Sequence, residues 1–277
     1  MNFNQLKSQF LSTISNLYSI QEAEEIFFLF LEENNKFKRL DFIINRVLAV
    51  ENHKLWVEQM HRLKKGEPAQ YVLGSADFFG MKIKVDPSVL IPRPETEELV
   101  DLILKSGTPA GEARILDIGT GSGCIAIALK KAWPNTLVTA VDISNAAIKT
   151  ATTNAIVQNV NIECLVEDIG TYQTDKKFEV IVSNPPYIPT GDKKEMASHV
   201  LDYEPHLALF APENDPLYFY KQILIFADKH IKKPDGKLYF EAHHRYAKDF
   251  VDFCKKDFKV ELKNDMFGKP RFIVLEF

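Results

Sequence analysis

A tetrapeptide that follows a short apolar run carries the clearest chemical signal in this chain. The Val-Ile-Val run at residues 180–182 is typical of a buried strand, and Asn184, Pro185, Pro186 and Tyr187 come shortly after it. Two consecutive prolines end the strand and stiffen the loop, so the Asn184 carboxamide is held at the strand end. A carboxamide held there suits a small planar group that both donates and accepts hydrogen bonds, such as an amide or an exocyclic amine. An ordinary turn is the alternative, because Asn, Pro and Tyr are common loop residues.

A glycine-rich segment lies some 65 residues upstream and also follows an apolar run. The run at residues 114–118 leads into Gly-Thr-Gly-Ser-Gly at residues 119–123, and a segment of helical character follows. Glycine permits a tight turn there and lets the backbone approach a ligand without an intervening Cβ. The Gly-x-Gly-x-Gly spacing differs from the dinucleotide fingerprint and from the phosphate loop, which ends in Gly-Lys-Ser/Thr.

An acidic residue ends the next predicted strand. The run at residues 137–141 is followed by Asp142, 23 positions after Gly119. A carboxylate at that distance can accept hydrogen bonds from both hydroxyls of a ribose. The alternative is a cap for the helix that begins near Ser144. These features favour a nucleoside-bearing ligand without a pyrophosphate, a description that S-adenosylmethionine fits.

Together these segments resemble the release-factor glutamine N5-methyltransferase family, from about Gly66 to the C-terminus. The matching blocks occur in the family's order, at residues 66–71, 79–80, 89–97, 117–123, 142–144, 184–188, 203–205 and 208–209. The tetrapeptide alone is shared with adenine methyltransferases acting on DNA, so the ordered set carries the resemblance. The chain departs from the family at Glu-Ala-His-His-Arg-Tyr, residues 241–246, and in the glycine-poor residues 210–215. Both departures concern local loop geometry.

The resemblance implies a reaction and an acceptor site. The methyl group of S-adenosylmethionine would move to the side-chain amide nitrogen of the glutamine in the Gly-Gly-Gln motif of peptide-chain release factors, leaving S-adenosylhomocysteine and requiring no metal. The Asn184 side-chain oxygen and the Pro185 carbonyl would accept the two amide hydrogens. Tyr187 would stack on the flat amide, and Pro186 would keep the loop open. Three other functions stay open: a glutamine methyltransferase of a ribosomal protein, an adenine N6-methyltransferase on nucleic acid, and an adenosyl-ligand-binding regulator.

The resemblance also assigns the donor site. The expected donor-binding residues are Asp117, Gly119, Thr120, Gly121, Ser122, Gly123, Asp142, Asp168, Ile169 and Asn184. The glycine turn would pass the methionine part of the donor, and Asp142 would hold the ribose. Asp168 would accept from the adenine amine, unless it is a helix cap, and Ile169 would pack on the ring. Asp117 would contact the donor ammonium, or it is a structural carboxylate.

A metal site is not expected at the adjacent histidines 243 and 244. Adjacent residues in a strand point to opposite faces, which would keep the two imidazoles apart.

Composition sets limits on the class of protein. The 277 residues are 45% hydrophobic and 26% charged, which is typical of a soluble globular protein. The net charge of -4 shows no basic excess and argues against nucleic acid as the substrate. The three cysteines show no C-x-x-C spacing, which indicates core residues in a reducing compartment. No apolar run approaches the roughly 18 residues that span a bilayer, and the N-terminus has no signal-peptide layout, so we expect a cytoplasmic protein without a membrane partner.

The first part of the chain is predicted to be helical. Residues 1–68 have no glycine or proline before residue 66, and their apolar residues recur at helical spacing. The apolar positions include Ile26, Phe27, Phe30, Leu31, Leu40, Ile43, Ile44, Val47 and Leu48. The resemblance implies that this small helical domain helps to dock a protein substrate. Residues 69–90 are predicted to form a β-hairpin linker, with strand character at Tyr71-Val72-Leu73 and on both sides of Gly80.

Residues 91–277 are predicted to form the methyltransferase domain. Strands are expected near 114–118, 137–142, 162–166, 178–183, 236–241, 258–263 and 271–276. Helices between most of them indicate a seven-stranded, mainly parallel, Rossmann-like sheet covered on both faces. The short turn before the last strand indicates that this strand is antiparallel to its predecessor. Because parallel strands end at the same edge, one cleft is expected to collect residues 119–123, Asp142, Asp168 and Asn184.

Overall fold

The computed structural model describes residues 3–36, 52–109, 111–213 and 215–277. The chain folds as two compact units. The first comprises Met1–Ser75 with Ala197–Tyr203, and the second comprises Ala76–Met196 with Glu204–Phe277. Among the described residues, no helix is both long enough and apolar enough to cross a bilayer.

The first unit is helical, as predicted for the described residues. Its helices there are Phe3–Ile14, Ile20–Asn35, His53–Lys64, Ala69–Leu73 and Ser198–Tyr203. An aromatic cluster fills the core, where the ring of Phe10 lies 5.3 Å from that of Phe27 and 5.9 Å from that of Trp56. The Tyr203 hydroxyl donates to the carbonyl of Lys65 at 3.0 Å, which ties the last helix to this unit. The predicted apolar positions 40–48 lie outside the described residues.

One expectation for the linker was wrong, because residues 71–73 are helical and not extended. Pro68 precedes this short helix and Gly74 ends it with a φ of 75°. The Arg62 guanidinium donates to the carbonyls of Tyr71 and Val72 at 3.0 and 3.2 Å. These bonds satisfy carbonyl groups that the end of a helix leaves without a partner, and this stabilises the helical turn.

The predicted hairpin around Gly80 is confirmed. Strands β1 (Ser75–Phe78) and β2 (Met81–Lys84) form a two-stranded sheet. Phe79 and Gly80 connect them with φ values of 47° and 72°, the left-handed pair that a two-residue hairpin turn requires. The backbone N–H of Phe79 donates to the Glu97 carboxylate at 2.7 Å, so the strained Phe79 is held in place.

The main sheet of the second unit has the seven predicted strands. They are β3 (Arg114–Ile118), β4 (Leu137–Asp142), β5 (Glu163–Val166), β6 (Val180–Ser183), β9 (Lys237–Glu241), β10 (Lys259–Asn264) and β11 (Pro270–Glu276). Their order is β10-β11-β9-β6-β3-β4-β5, and β11 is antiparallel to both of its neighbours. The other neighbouring pairs are parallel, so the mainly parallel sheet and the antiparallel last strand are confirmed.

Helices and a small strand pair complete the second unit. The helices are Pro94–Lys105, Cys124–Ala132, Asn145–Val157, His206–Leu209, Tyr218–His230 and Ala247–Cys254, with a 3-10 helix at Thr190–Glu195. Strands β7 (Ile188–Pro189) and β8 (Phe210–Ala211) pair in parallel. The chain runs outward from β3 through β4 to β5 and then returns to β6 on the other side of β3. This reversal is a topological switch point, where open α/β sheets bind ligands.

Candidate active site

A cavity of about 450 Å³ lies in the second unit, at the carboxyl ends of the central strands. Most of the predicted site residues line it, namely Gly119, Thr120, Gly121, Ser122, Asp142, Asp168, Ile169, Asn184, Pro185 and Pro186. They follow four different strands, β3, β4, β5 and β6, as the shared edge of a parallel sheet requires. Asp117, Gly123 and Tyr187 are not among the lining residues.

The glycine turn is held by its neighbouring strand. Its backbone has φ values of 69°, 55° and 80° at Gly119, Gly121 and Gly123, a region that favours glycine. The N–H groups of Gly119 and Thr120 donate to the Val141 carbonyl at 2.9 and 3.0 Å. An ideal Cβ at Gly119 or Gly121 would have no protein atom within 4 Å, so the space beside this lining backbone is free for a ligand.

Asp142 joins the glycine turn to the following helix. Its Oδ2 accepts from the Gly121 N–H at 2.9 Å, and its Oδ1 accepts from the Ser144 N–H at 2.9 Å. The helix itself is capped by the Ser144 hydroxyl, which accepts from the Ala147 N–H at 3.2 Å. Burial raises the pKa of Asp142. The carboxylate is therefore rigidly placed at the cavity wall, while Ser144 supplies the helix cap.

Asp117 lies behind the turn and is completely buried. Its Oδ2 accepts from the Thr120 hydroxyl at 2.6 Å and from the Ala126 N–H at 3.3 Å. Within the described residues, Oδ1 has no hydrogen-bond partner. Burial raises the pKa of this carboxyl group to about 7. These contacts brace the glycine turn against the helix Cys124–Ala132, which is the structural alternative that the sequence left open.

Asp168 and Ile169 lie at the exposed side of the cavity. The Asp168 side chain accepts from the Gly170 N–H at 2.9 Å, and its backbone carbonyl accepts from Thr171 and Tyr172. Asp168 thus stabilises a turn, and it also lines the cavity. The alternative of a helix cap was wrong, because no helix follows Asp168 in this described segment. Ile169 is half-buried, because it packs against the hydrophobic core beneath the sheet edge.

The Asn184 carboxamide is fixed by two residues of other elements. Its Nδ2 donates to the Thr96 hydroxyl at 3.3 Å, and that hydroxyl donates to Oε2 of Glu241 at 2.7 Å. Burial raises the pKa of Glu241 to about 7. The sequence analysis gave neither Thr96 nor Glu241 a role at the site. The two residues are 145 positions apart, and only the fold brings them together.

A second polar pair closes the cavity wall beside Thr96. Arg93, which lines the cavity, forms an ion pair with Glu204 at 2.5 Å. The backbone N–H of Ile91 donates to the other oxygen of the same carboxylate at 3.3 Å. Two of the segments that carried the resemblance, residues 89–97 and 203–205, therefore meet through one buried carboxylate.

Tyr187 is not among the residues that line the cavity, and its stacking on the acceptor amide stays a prediction. Its half-buried ring packs against the hydrophobic core, and its centroid lies 5.5 Å from that of the His243 ring. Burial raises the pKa of its phenol. Pro186 lines the cavity next to Asn184 and Pro185.

The reason given against a metal at the two histidines was wrong. His243 and His244 follow β9 and lie in a turn, with ring centroids 4.4 Å apart and not on opposite faces of a strand. The N–H of Arg245 donates to Nδ1 of His243 at 3.3 Å. Burial lowers the pKa of His243 to about 4. In the part of the chain that the structure describes, no cluster of three or more His, Cys, Asp or Glu side chains is arranged to hold a metal.

Gly123 serves packing and not the cavity surface. A Cβ at this position would lie 3.0 Å from the Cβ of Ala151 and 3.2 Å from its Cα. Gly123 therefore allows the turn to pack closely on the helix Asn145–Val157, the use that a third glycine has in related turns.

We expect Gly123→Ala to lower the free energy of unfolding by about 2–4 kcal/mol, because it combines left-handed backbone strain with overpacking. Gly268→Ala is the matched control, with a φ of 78° and no atom within 4 Å of an added Cβ. Its free energy of unfolding should fall by only about 1–2 kcal/mol, because the added Cβ brings backbone strain without overpacking. Urea unfolding of both variants measures the difference, and equal losses would contradict the packing role.

Comparison with known proteins gives relatives along almost the whole chain. A family model described as "Methyltransferase small domain" matches residues 96–203. A release factor glutamine methyltransferase from Flavobacterium psychrophilum is 40% identical over an alignment of 279 positions, which covers 98% of this chain and 98% of that protein. A protein of the same name from Streptococcus pneumoniae is 41% identical over 261 residues, which cover 92% of each chain.

Solved structures share the fold. A methyltransferase from Pyrococcus furiosus superposes with a TM-score of 0.52 at 22% identity, over 72% of this chain and 89% of that chain. The 16S rRNA N2 G1207 methyltransferase of T. thermophilus, in complex with AdoMet and guanosine, superposes with a TM-score of 0.52 at 16% identity, over 73% of this chain and 49% of that chain. At these identities the similarity concerns the fold alone.

Proposed function

This chain belongs to the release factor glutamine methyltransferase family, and we propose that it methylates the side-chain amide nitrogen of the glutamine in the Gly-Gly-Gln motif of peptide-chain release factors. S-adenosylmethionine is the proposed methyl donor and S-adenosylhomocysteine the product. One observation carries the proposal: a single cavity is lined by the glycine turn, by Asp142 and by the carboxamide of Asn184. Donor and acceptor groups can therefore meet inside it.

The residues that line the cavity suit an adenosyl donor. The bare backbone of Gly119 and Gly121 would pass beside the methionine part, and the fixed carboxylate of Asp142 would accept from the ribose hydroxyls. Asp168 and Ile169 would contact the adenine amine and ring. When bound, the donor supplies an electrophilic methyl group on its sulfonium, and the chain's task is to orient the acceptor toward that methyl and to exclude water.

Asn184 and Pro185 suit an amide acceptor. An amide nitrogen is a poor nucleophile because its lone pair is delocalised into the carbonyl. The Asn184 nitrogen is engaged by Thr96, which leaves its side-chain oxygen to accept one amide hydrogen while the Pro185 carbonyl accepts the other. These two bonds would draw electron density toward the acceptor nitrogen and aim it at the methyl. Positioning of this kind lowers the activation barrier by several kcal/mol, and by roughly 7–11 kcal/mol in ideal cases.

A transfer assay with separate acceptors tests the proposed function. Radiolabelled methyl donor is incubated with purified release factor, a ribosomal protein mixture, or DNA. We expect label only in the release factor, its loss when the Gly-Gly-Gln glutamine is replaced, and no effect of a metal chelator. Label in the ribosomal protein or in DNA, with none in the release factor, would overturn the assignment and identify the alternative acceptor.

The donor and acceptor roles are separable by two variants. Asn184→Ala should reduce transfer by at least about 100-fold while donor affinity stays within about twofold, because the proposed hydrogen bond of Asn184 is to the acceptor and its part in donor binding is minor. Asp142→Ala should instead weaken donor binding at least about tenfold, because a ribose contact and the anchor of Gly121 are both lost. Calorimetry measures donor affinity. Near-normal transfer in the first variant, or unchanged affinity in the second, would remove that residue from its role.

We propose that the helical domain, residues 1–68, helps to dock the release factor, and that residues 69–90 link it to the methyltransferase domain, residues 91–277. Support comes from exposed apolar side chains in the helical domain. Leu17 is 49% exposed and Ile20 is 79% exposed, so both side chains have apolar surface that a partner protein can bury.

Replacing both Leu17 and Ile20 by Ser should raise KM for the whole release factor at least about fivefold, because full burial of a Leu or Ile side chain contributes roughly 1.5–3 kcal/mol. Activity on an isolated Gly-Gly-Gln peptide should not change. The matched control replaces Ile156 and Val157, which are 73% and 68% exposed in the second unit, and it should leave both values unchanged. An unchanged KM in the Leu17/Ile20 variant would exclude these side chains from docking.

A cytoplasmic location also belongs to this proposal. The three cysteines are free thiols, as a reducing compartment favours, and the proposed acceptor is a protein of translation. Cell fractionation measures the location, and recovery of the protein outside the cytoplasmic fraction would contradict it.

A further inference from the structure

This inference rests on the proposed function. We propose that Thr96 and Glu241 are positioning residues that determine which end of the Asn184 carboxamide faces the acceptor. The pair holds the side-chain nitrogen of Asn184 against Thr96, so that the side-chain oxygen faces the acceptor. Neither residue touches the reacting atoms in this arrangement. Both act through Asn184.

The pair comes from two elements that meet Asn184 at the sheet edge. Thr96 lies in the first turn of the helix Pro94–Lys105, and Glu241 is the last residue of β9. Strand β9 is the parallel neighbour of β6, with Phe240 opposite Ser183, so each strand continues by one residue into Glu241 or Asn184. Thr96 is 4% exposed and Glu241 is 2% exposed. Water therefore has little access to replace these bonds, and the protein must satisfy them itself.

The charge of Glu241 determines which group donates in each of the two hydrogen bonds that link Glu241, Thr96 and Asn184. An ionised carboxylate only accepts, so the single hydroxyl hydrogen of Thr96 must be donated to Glu241. The oxygen of Thr96 then has only lone pairs left to offer Asn184. The NH₂ of Asn184 is the group that satisfies them, at 3.3 Å, whereas a reversed amide would bring two acceptors together. The negative charge of Glu241 thus sets which end of the carboxamide faces the cavity.

Protonation of Glu241 would release this constraint. A neutral carboxyl group can donate to Thr96, and the hydroxyl can then donate to the Asn184 oxygen instead. The Asn184 amide would then reverse and present its NH₂ to the acceptor. An NH₂ group cannot accept a hydrogen bond from the amide hydrogens of the acceptor. Because burial raises the pKa of Glu241 to about 7, the ionised form that supports transfer is favoured above that pH.

The other groups around Glu241 act on its charge in both directions. The hydrogen bond from Thr96 and the positive charges of Arg271 and Arg93 stabilise the carboxylate, and Glu95 opposes it. Three neutral groups also face the charge, namely Tyr187, Tyr220 and Cys124. Their burial raises the pKa of each, so they stay neutral around pH 7 and do not create the same pH dependence.

Three substitutions test the positioning role by kinetics. Thr96→Val removes the hydroxyl at nearly constant shape and should lower kcat roughly 10–100-fold, with donor affinity and acceptor KM within about twofold. Thr96→Ser keeps the hydroxyl and should restore kcat to within about threefold of the wild type. Glu241→Gln should reduce the rise of kcat with pH around 7 that the wild type shows, and what remains belongs to Asp117, whose pKa burial also raises to about 7. Wild-type kcat in Thr96→Val, or an unchanged pH profile in Glu241→Gln, would overturn the proposal.

The matched control is a threonine–glutamate bond between two strands of the main sheet. The Thr139 hydroxyl donates to Glu163 at 2.8 Å on strands β4 and β5, and neither residue lines the cavity. Thr139→Val should keep kcat and the pH profile of the wild type. An equal loss of kcat in Thr139→Val and Thr96→Val would show a general effect on the sheet and refute positioning.

A measurement without an acceptor separates this inference from the proposed function. The side-chain NH₂ resonance of Asn184, identified by its absence in Asn184→Ala, should shift with pH around 7 in the wild type and stay fixed in Glu241→Gln. It should also exchange faster with solvent in Thr96→Val. These responses support the positioning pair even if the release factor receives no label, which would refute only the proposed function. A resonance that ignores pH and both substitutions refutes the pair, whatever the acceptor.

Discussion

The parallel pairing of β3 with β6 is the interaction on which the site depends. Its register places Ile118 opposite Ser183, so the glycine turn and the Asn184 loop leave the sheet side by side. No residue of either segment needs to reach across the protein to meet the other. A slip of one residue in this register would turn each side chain to the opposite face of the sheet, so the apolar packing on both faces fixes the geometry of the cavity. Burial of Ile115, Leu116, Ile181 and Val182 specifies the alignment.

Behind the cavity, buried carboxylates hold the groups that line it. Asp117 binds Thr120 and the start of a helix, and Glu241 binds Thr96. Burial raises the pKa of both carboxyl groups to about 7, which means that the fold keeps each in an environment that disfavours its charge. Such groups lower stability relative to an apolar core, and functional sites are where they are commonly retained. In both cases a buried carboxylate accepts a hydrogen bond from a threonine that lines the cavity, and so fixes the orientation of that threonine.

The sequence predicted what depends on local pattern. The strands, the left-handed turn at Gly80 and the proline-started helix at Pro94 follow from periodicity, glycine and proline, which act through neighbouring residues. Residues 71–73 were predicted as extended because β-branched and aromatic types favour strands, but Arg62 satisfies the helical carbonyls from nine or ten positions away. The packing of the Tyr187 ring on His243 and the pairing of Thr96 with Glu241 depend on contacts between distant segments. Spacing along the chain contains no information about either.

The polarity of Asn184 cannot by itself select the acceptor. An oxygen facing the cavity accepts equally well from a glutamine amide and from the exocyclic amine of adenine, since each presents two N–H hydrogens in a plane. Selection must therefore come from the walls around the carboxamide and from surfaces outside the cavity. The Arg93–Glu204 pair fixes one wall close to Thr96, and it joins two segments that carried the family resemblance. With a net charge of -4, the chain has no general attraction for the phosphates of nucleic acid, so shape and docking contacts must distinguish a protein loop from a base.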